Sequence, residues 1–303
     1  MTSEIRPEAR PTESRQGLLS QGHSMCGGCS VAIAVHLISR AAPRDIIVSC
    51  ATSCLEVTTS MYPNTAWNVP WIHAAFETAS SVASGIEAAT KKLGKGWKIL
   101  AIAGDGGTFD IGLQSLSGML ERGHKVTQVC LDNECYANTG VQRSSATPYG
   151  ASTTTSPAGK ASDGNKTFKK PIVEIVAAHG IPYAASASVA YPQDLIRKMK
   201  IAFERQPSFV HIHAPCTTGW KFDTSQTINI AKLAVETGMW ALFEIEDGKF
   251  KITKRVENKK PVEDYLKTQG RFKHLLKNEN EIKKIQDNVN TAWENYEKRE
   301  KMC

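Results

Sequence analysis

The sequence of 303 residues predicts an α/β protein with a mostly parallel sheet that is covered by helices on both faces. Two observations predict this fold class. Short apolar runs recur along the chain, and segments with apolar residues at helical spacing lie between them. A short run that is apolar throughout is typical of a strand buried on both faces. Because strands and helices alternate, parallel pairing through crossover helices is the expected arrangement.

Four apolar runs are the predicted strands, and they span Asp45–Ser49, Lys98–Ala103, Val126–Leu131 and Ser208–His213. Four segments with a helical apolar period are the predicted helices, and they span Trp71–Lys92, Asp110–Arg122, Ile172–His179 and Pro192–Arg205. Gly123 directly follows the second of these helices, where a C-cap glycine is expected.

The chain divides into three predicted regions. Residues 1–20 are polar and contain prolines, so we expect a flexible N-terminal arm. Residues 21–220 hold the α/β domain, and residues 221–303 are expected to be a C-terminal helical extension for subunit docking. Within the α/β domain, residues 144–170 are rich in Ser, Thr, Gly, Ala and Pro, which is typical of a loop that is functional or packed against a partner. One apolar stripe marks a long terminal helix, and it consists of Ile282, Ile285, Val289, Trp293 and Tyr296.

Composition excludes several classes of function. The net charge of +7 comes largely from residues 248–303, which hold fifteen Lys and Arg against nine Asp and Glu. Acids alternate with these bases and no aromatic platform accompanies them, so we expect no nucleic-acid binding. No apolar run approaches the roughly 20 residues that span a bilayer, and the first residues lack the apolar centre of a signal peptide. We therefore expect a cytoplasmic protein that is not a membrane protein.

Eight cysteines in a chain of this size favour metal binding or catalysis over a disulfide framework. Cys50 and Cys130 lie in apolar runs and are expected to be core thiols. A four-thiolate set is predicted from Cys26, Cys29, Cys54 and Cys216. Because these thiols come from separate loops, they favour an iron–sulfur cluster. A zinc site and a set of unliganded thiols are the alternatives left open.

A second set of polar residues follows two predicted strands. Gly104, Asp105 and Gly106 form a tight turn after one strand, and Asn133 follows the next strand. Ligands bind at the carboxyl ends of strands in α/β sheets, and Mg²⁺ prefers oxygen ligands and phosphate oxygens. Strand, Gly-Asp-Gly, helix, strand and Asn in this order are the known sequence signature of thiamine diphosphate enzymes.

Taken together, the motifs resemble the β subunits of the pyruvate:ferredoxin oxidoreductases (pyruvate synthases), within the 2-oxoacid:ferredoxin oxidoreductase family. The stretches that carry the resemblance span Gly22–Cys29, Ser53–Val57, Ala66–His73, Gly104–Gln114, Asp132–Gly140, Ala214–Trp220 and Gln269–Lys273. They are distributed over nearly the whole chain beyond the arm. The resemblance implies the thiamine diphosphate-binding fold.

The resemblance also implies roles for individual residues. The proximal [4Fe–4S] cluster would be ligated by Cys26, Cys29, Cys54 and Cys216. Mg²⁺ on thiamine diphosphate would be held by Asp105 and Asn133, and Asn138 would face the substrate as a catalytic residue. The remaining cofactor-binding positions would be Cys54, Gly104, Gly106, Gly107, Thr108, Tyr136 and Ala137. Ser53, Cys135 and Ala137 depart from the residues expected in the family, which bears most on the identity of the substrate.

The activity implied by the resemblance is the reversible oxidative decarboxylation of pyruvate to acetyl-CoA and CO₂. Coenzyme A would take the acyl group, and ferredoxin would accept electrons through a complex with α, γ and δ subunits or fusions of them. Three alternatives stay open. They are another small oxoacid such as 2-oxobutyrate or oxalate, a non-redox thiamine diphosphate decarboxylase with structural zinc, and a non-catalytic scaffold subunit.

Overall fold

The structure is a computed structural model, and it describes residues 17–302. An eight-stranded sheet forms its centre, in the order β10-β9-β7-β8-β4-β3-β1-β2. The strands of this sheet are β1 Ile46–Ala51, β2 Trp71–Ala74, β3 Lys98–Gly104, β4 Val126–Asp132, β7 Tyr183–Ser188, β8 Ser208–His213, β9 Leu242–Glu246 and β10 Lys249–Lys254. A separate hairpin pairs β5 Ala158–Gly159 with β6 Ser162–Asp163.

Within residues 17–302, ten α-helices connect and cover these strands. They are α1 Ser30–Ser39, α2 Cys54–Thr59, α3 Ala79–Lys92, α4 Leu113–Glu121, α5 Ile172–Ala177, α6 Pro192–Glu204, α7 Thr217–Trp220, α8 Thr227–Glu236, α9 Val262–Leu266 and α10 Glu279–Met302. A π-helix at Gly106–Asp110 and 3₁₀ turns at Thr224–Gln226, Gly270–Phe272 and Leu275–Lys277 complete the described chain. None of the helices in residues 17–302 combines the length and the apolar character needed to cross a bilayer.

The sheet separates two hydrophobic cores, because successive side chains of a strand point to opposite faces. In β3, Ile99 and Ala101 join the core beneath α3, α4, α5 and α10, whereas Leu100 and Ile102 join the core beneath α1 and α6. Strands β1, β2, β3, β4, β7 and β8 pair in parallel. The fold class predicted from the sequence is therefore confirmed.

Several elements differ from the predicted ones. The predicted helix Trp71–Lys92 is wrong in its first part, where Trp71–Ala74 forms the edge strand β2 and the helix begins only at Ala79. Strand β7 is rich in Ala and Ser, and the sequence analysis missed it. In the segment Asp110–Arg122, Asp110 is the last residue of the π-helix and α4 spans Leu113–Glu121. The C-cap at Gly123 is confirmed, since its φ is +67° and its amide donates to Leu120 O.

The sequence analysis expected the α/β pattern to end at Trp220, but the structure continues it beyond this residue. Strand β9 pairs antiparallel with β7, and β10 continues the sheet beyond it. Helix α10 then packs its buried stripe against the larger core of this same chain, through Ile285, Val289 and Trp293.

The first described residues are attached to the body of the protein. Leu18 is buried, its amide donates to Ser39 Oγ, and the amide of Ser20 donates to Ala66 O. These residues belong to the predicted N-terminal arm, whose residues 1–16 lie outside the described part of the chain.

The fold brings four loops to one edge of the sheet. Strands β8, β4, β3 and β1 are neighbours and run in parallel, so their carboxyl ends lie side by side. The residues that follow these ends are Cys216 after β8, Asn133 after β4, Asp105 after β3 and Cys54 after β1. Both sets of candidate residues therefore meet at the edge where α/β sheets bind ligands.

Candidate functional site

Four cysteines from three loops line one cavity of about 230 Å³. Cys29 is the N-cap of α1, Cys54 begins α2 and Cys216 is the N-cap of α7, while Cys26 is exposed at the turn before α1. The Gly219 amide donates to Cys216 Sγ at 3.2 Å. All seven cysteines of the described residues are free thiols. The structure thus brings the predicted thiol set together.

Burial disfavours the charged form of three thiols in this cavity, those of Cys29, Cys54 and Cys216. Burial raises the pKa of Cys29 and of Cys216, and it raises that of Cys54 to about 12 with a further contribution from the neighbouring thiols. A positive metal centre reverses this effect, because it stabilises thiolates directly. Within residues 17–302, no group of three or more His, Cys, Asp or Glu side chains is arranged to hold a single metal ion.

Asp105 is a buried carboxylate at the end of β3. It is 1% exposed, and its Oδ2 accepts a 2.5 Å hydrogen bond from Ser144 Oγ. Burial and the nearby Asp132 carboxylate raise the pKa of Asp105 well above its usual value. A buried carboxylate with a raised pKa is stabilised when a cation binds to it, so Asp105 fits a magnesium ligand.

Asn133 is positioned by contacts from two sides. Its backbone carbonyl accepts a 2.7 Å hydrogen bond from Trp220 Nε1, and Cys135 Sγ donates to its side-chain oxygen at 3.6 Å. The side chains of Asn133 and Asp105 line a second cavity of about 290 Å³. Two hard oxygen donors on adjacent strand ends fit Mg²⁺ on a diphosphate.

A buried network of charges fixes the loop that carries Asn133. Lys169 Nζ lies 3.0 Å from Asp132 Oδ2 and 2.6 Å from Glu134 Oε1. Arg271 pairs with the other oxygen of Glu134 at 2.5 Å, and His211 Nε2 lies 2.7 Å from Asp132 Oδ2. Burial acts against the charge on Asp132, but Lys169 and His211 hold its pKa well below its usual value. The loop is thus preorganised by ion pairs.

Two glycines lie in turns where a side chain would clash with neighbouring residues. A Cβ at Gly106 would lie 2.4 Å from the Tyr136 ring, and a Cβ at Gly28 would lie 2.2 Å from Thr224 O. The φ of Gly28 is +70°, which disfavours other residues as well. The hydroxyl of Thr108 donates a 2.8 Å hydrogen bond to Gly104 O, so this side chain stabilises the turn.

The two cavities share part of their walls. Cys54, Asn133, Ala137 and Asn138 line both of them, and Tyr136 lines the second. A group held by the four thiols would therefore lie next to one held by Asp105 and Asn133. The loop that begins at Asn133 forms the partition between the two cavities.

Sequence reasoning missed several residues of this site. Ser144 and Lys169 lie in the Ser/Thr-rich loop, and no local motif marks either of them. Arg271 belongs to the tail motif that supports the resemblance, but its ion pair with Glu134 spans 137 residues. Such long-range pairs leave no spacing pattern in a single sequence. Cys50 and Cys130 are fully buried, as predicted.

The fold and the geometry of the second cavity define a thiamine diphosphate enzyme. The family described as "Thiamine pyrophosphate enzyme, C-terminal TPP binding domain" matches residues 47–212, which is more than half of the chain. More particularly, the chain belongs to the β subunits of the 2-oxoacid:ferredoxin oxidoreductases, the family of the pyruvate synthase subunit PorB. It is therefore a subunit of an oxidoreductase.

The relatives that show this family match nearly the whole chain. Pyruvate synthase subunit PorB of Methanothermobacter marburgensis is 52% identical over 276 residues, covering 90% of this chain and 95% of that protein. Ketoisovalerate oxidoreductase subunit VorB of Pyrococcus abyssi is 47% identical over 286 residues, covering 91% of each. A solved 2-oxoglutarate:ferredoxin oxidoreductase from Magnetococcus marinus superposes with a TM-score of 0.57 at 19% identity, covering 71% of this chain and 79% of that one, which shows the shared fold.

Proposed function

We propose that this chain is the subunit of a pyruvate:ferredoxin oxidoreductase that holds thiamine diphosphate, Mg²⁺ and a [4Fe–4S] cluster. The shared wall of the two cavities is the observation that carries the proposal. When bound, thiamine diphosphate supplies an electron sink for the decarboxylation of a 2-oxoacid, and the cluster takes up electrons one at a time. The common wall formed by Cys54, Asn133, Ala137 and Asn138 supports neighbouring positions for these two groups.

The cluster is assigned to Cys26, Cys29, Cys54 and Cys216. Four soft thiolate donors around a common cavity fit an iron–sulfur cluster. A tetrahedral zinc site, with Zn–S distances of about 2.3 Å, needs its four sulfurs in contact around one point. The cavity of about 230 Å³, which these thiols line together with eleven other residues, supports the larger group. The Gly219 amide beside Cys216 supplies a hydrogen bond of the kind that tunes cluster potentials.

Asp105 and Asn133 are assigned to Mg²⁺, with a backbone carbonyl near Tyr136 or Ala137 as a further ligand. Gly104, Gly106 and Gly107 would admit the diphosphate to the backbone of the turn, and Thr108 would hold that turn. Asn138 is exposed and lines both cavities, which suits a group that faces the substrate.

The proposed substrate is pyruvate, because the PorB relatives share about half of all residues with this chain. A relative named for ketoisovalerate is nearly as similar, so the test is a substrate panel. In the assembled complex, pyruvate should reduce ferredoxin with a higher kcat/KM than 2-oxobutyrate, ketoisovalerate or oxalate. A higher value for any of these competitors would contradict the choice of pyruvate.

The chain is proposed to act only within a complex. The subunit names of its relatives imply several different chains, and we propose α, γ and δ partners, coenzyme A as acyl acceptor and ferredoxin as electron acceptor. A partner would supply the carboxylate that activates thiamine. We also propose a cytoplasmic location, where thiols remain reduced. Robust turnover by the isolated chain would contradict the need for partners.

A further inference from the structure

Two buried hydroxyl groups lie between the loops that follow β3 and β4. Ser144 Oγ donates a 2.5 Å hydrogen bond to Asp105 Oδ2, and Thr147 Oγ1 donates a 2.7 Å hydrogen bond to the carbonyl of Glu134. Ser144 is 0% exposed and Thr147 is 1% exposed. Asp105 is one proposed magnesium ligand, and Glu134 directly follows the other, Asn133. A single turn of the chain therefore contacts both loops that carry the ligands.

Backbone amides fix the direction of each hydroxyl proton. The amide of Ala146 donates to Ser144 Oγ at 3.2 Å, and the amide of Ser144 donates to Thr147 Oγ1 at 2.9 Å. Each hydroxyl has one proton to donate. Because an amide already occupies the acceptor side of each oxygen, one proton is directed at Asp105 and the other at the Glu134 carbonyl.

The second hydroxyl holds a backbone conformation that is otherwise unfavourable. Glu134 has a φ of +62°, in the left-handed region that residues other than glycine rarely adopt. Its amide donates to Asp132 Oδ1 at 2.8 Å and its carbonyl accepts from Thr147, so both sides of the residue are fixed. Such a conformation persists only where the surroundings enforce it. The backbone directly after Asn133 therefore depends on the Thr147 hydroxyl.

The turn that carries the two hydroxyls is itself held in place. The Thr147 amide donates to Ser144 O at 3.1 Å and closes the turn. Asn165, which is 3% exposed, donates from Nδ2 to Thr147 O at 2.8 Å and to Pro148 O at 3.1 Å. Because these bonds fix the turn, its hydroxyls present a fixed position to the two ligand loops.

We propose that Ser144 and Thr147 are positioning residues of the magnesium site, which hold its two ligands in the arrangement that Mg²⁺ needs. The Ser144 hydroxyl engages Oδ2 of Asp105, so Oδ1 is the oxygen left for the ion. The Thr147 hydroxyl fixes the backbone directly after Asn133. This role rests on the proposed function, in which Asp105 and Asn133 bind Mg²⁺.

Ligands that are held rigidly favour Mg²⁺ over a larger ion. Mg²⁺ requires a nearly ideal octahedron with ligands at about 2.0–2.1 Å, whereas Ca²⁺ accepts irregular surroundings at about 2.3–2.6 Å. Loss of either hydroxyl would allow one ligand loop to move, which weakens Mg²⁺ binding more than Ca²⁺ binding. The ratio of the two affinities therefore reports how the ligands are positioned, and a general loss of stability does not change it.

The test measures this ratio in the assembled complex after the bound cofactor has been removed. Calorimetry gives the affinity for thiamine diphosphate in the presence of Mg²⁺ and, separately, of Ca²⁺. Ser144→Ala and Thr147→Val should lower the affinity with Mg²⁺ roughly 10–100-fold, as other lost contacts behind metal ligands do. The affinity with Ca²⁺ should fall by less than about threefold. Thr147→Ser keeps the hydroxyl and should retain the wild-type ratio, and Ser144→Ala carries the test if Thr147→Val does not assemble.

Thr127→Val is the matched control. The hydroxyl of Thr127 is also buried and donates to a backbone carbonyl, that of Ala202, at 3.1 Å. This variant should keep the wild-type ratio, and a fall as large as that of Thr147→Val would overturn the proposal. Wild-type complex that binds thiamine diphosphate equally well without a divalent ion would refute the proposed metal site. Ion-dependent binding in the wild type, with an unchanged ratio in Ser144→Ala, would refute only the role of the two hydroxyls.

Discussion

The indole Nε1 of Trp220 donates a 2.7 Å hydrogen bond to the backbone carbonyl of Asn133. Trp220 is the last residue of the short helix that Cys216 caps, and Asn133 is a proposed magnesium ligand. One buried contact therefore joins the loop that contains Cys216 to the loop that would hold the cofactor. The contact helps to fix the relative position of the two cavities.

Removing this hydrogen bond should destabilise the chain. Trp220→Phe keeps an aromatic ring but leaves the Asn133 carbonyl with only the weak Cys135 thiol as donor, so we expect a loss of about 1–2 kcal/mol in the free energy of unfolding. Urea unfolding measures it. Trp97→Phe, at a partly exposed indole, should change stability by less than about 0.5 kcal/mol. Equal effects of the two substitutions would contradict a special role of Trp220.

Arg271 should prove far more important than an exposed arginine. It pairs with buried Glu134 and lies 3.8 Å above the Trp220 ring, so Arg271→Met should cost about 3–5 kcal/mol of unfolding free energy. Arg255→Met breaks an exposed pair with Glu300 and should cost about 0–1 kcal/mol. Combining Arg271→Met with Glu134→Gln should cost less than the two changes summed. Additive costs would show that the pair is not coupled.

Asp105→Asn should separate cofactor binding from folding. Because burial and Asp132 disfavour the charged form of Asp105, an amide in its place should leave the cofactor-free chain at least as stable as wild type. Calorimetry should nevertheless show a loss of roughly 100-fold or more in Mg²⁺–thiamine diphosphate affinity, about 3 kcal/mol. The control Asp163→Asn changes an exposed carboxylate and should bind normally. Unchanged affinity in Asp105→Asn would remove this residue from the magnesium site.

Lys198 should make stability depend on pH. Its amine is fully buried and contacts Asp194 at 2.6 Å, yet burial outweighs this partner and lowers the pKa to about 8 from 10.5. Between these values the unfolded chain binds more protons, so stability should rise with pH from about 8 to 10.5. The unfolding free energy of the wild type minus that of Lys198→Met should therefore increase by up to about 3 kcal/mol across this window. If this quantity stayed constant or decreased, the lowered pKa of Lys198 would be contradicted. Lys200→Met, at an exposed position, is the control and should show no such dependence on pH.

Much of this architecture follows from local pattern. Strand β8 has the predicted bounds, and β3 and β4 differ by one residue, because apolar runs between helical segments mark buried parallel strands. Strand β7 was not predicted, because its Ala and Ser residues do not form a recognisable apolar run. Strand β2 was taken for a helix start because an edge strand with one buried residue in four lacks a clear period.

The candidate site could be predicted from the sequence only where its residues lie close together in the chain and form a motif. The Gly104–Gly106 turn and the paired Cys26 and Cys29 are visible as motifs. The hydrogen bond from Ser144 to Asp105 spans 39 residues and depends on how the loop folds back.

Metal analysis of the anaerobically purified complex tests the central claim most directly, namely that the four thiols hold an iron–sulfur cluster beside the thiamine site. We expect iron and sulfide in equal amounts, and a visible absorption that bleaches on reduction. Cys54→Ala should remove the part of this signal that belongs to this chain, whereas the buried core variant Cys50→Ala should retain it. Stoichiometric zinc in this chain, or an unchanged iron signal in Cys54→Ala, would contradict the account.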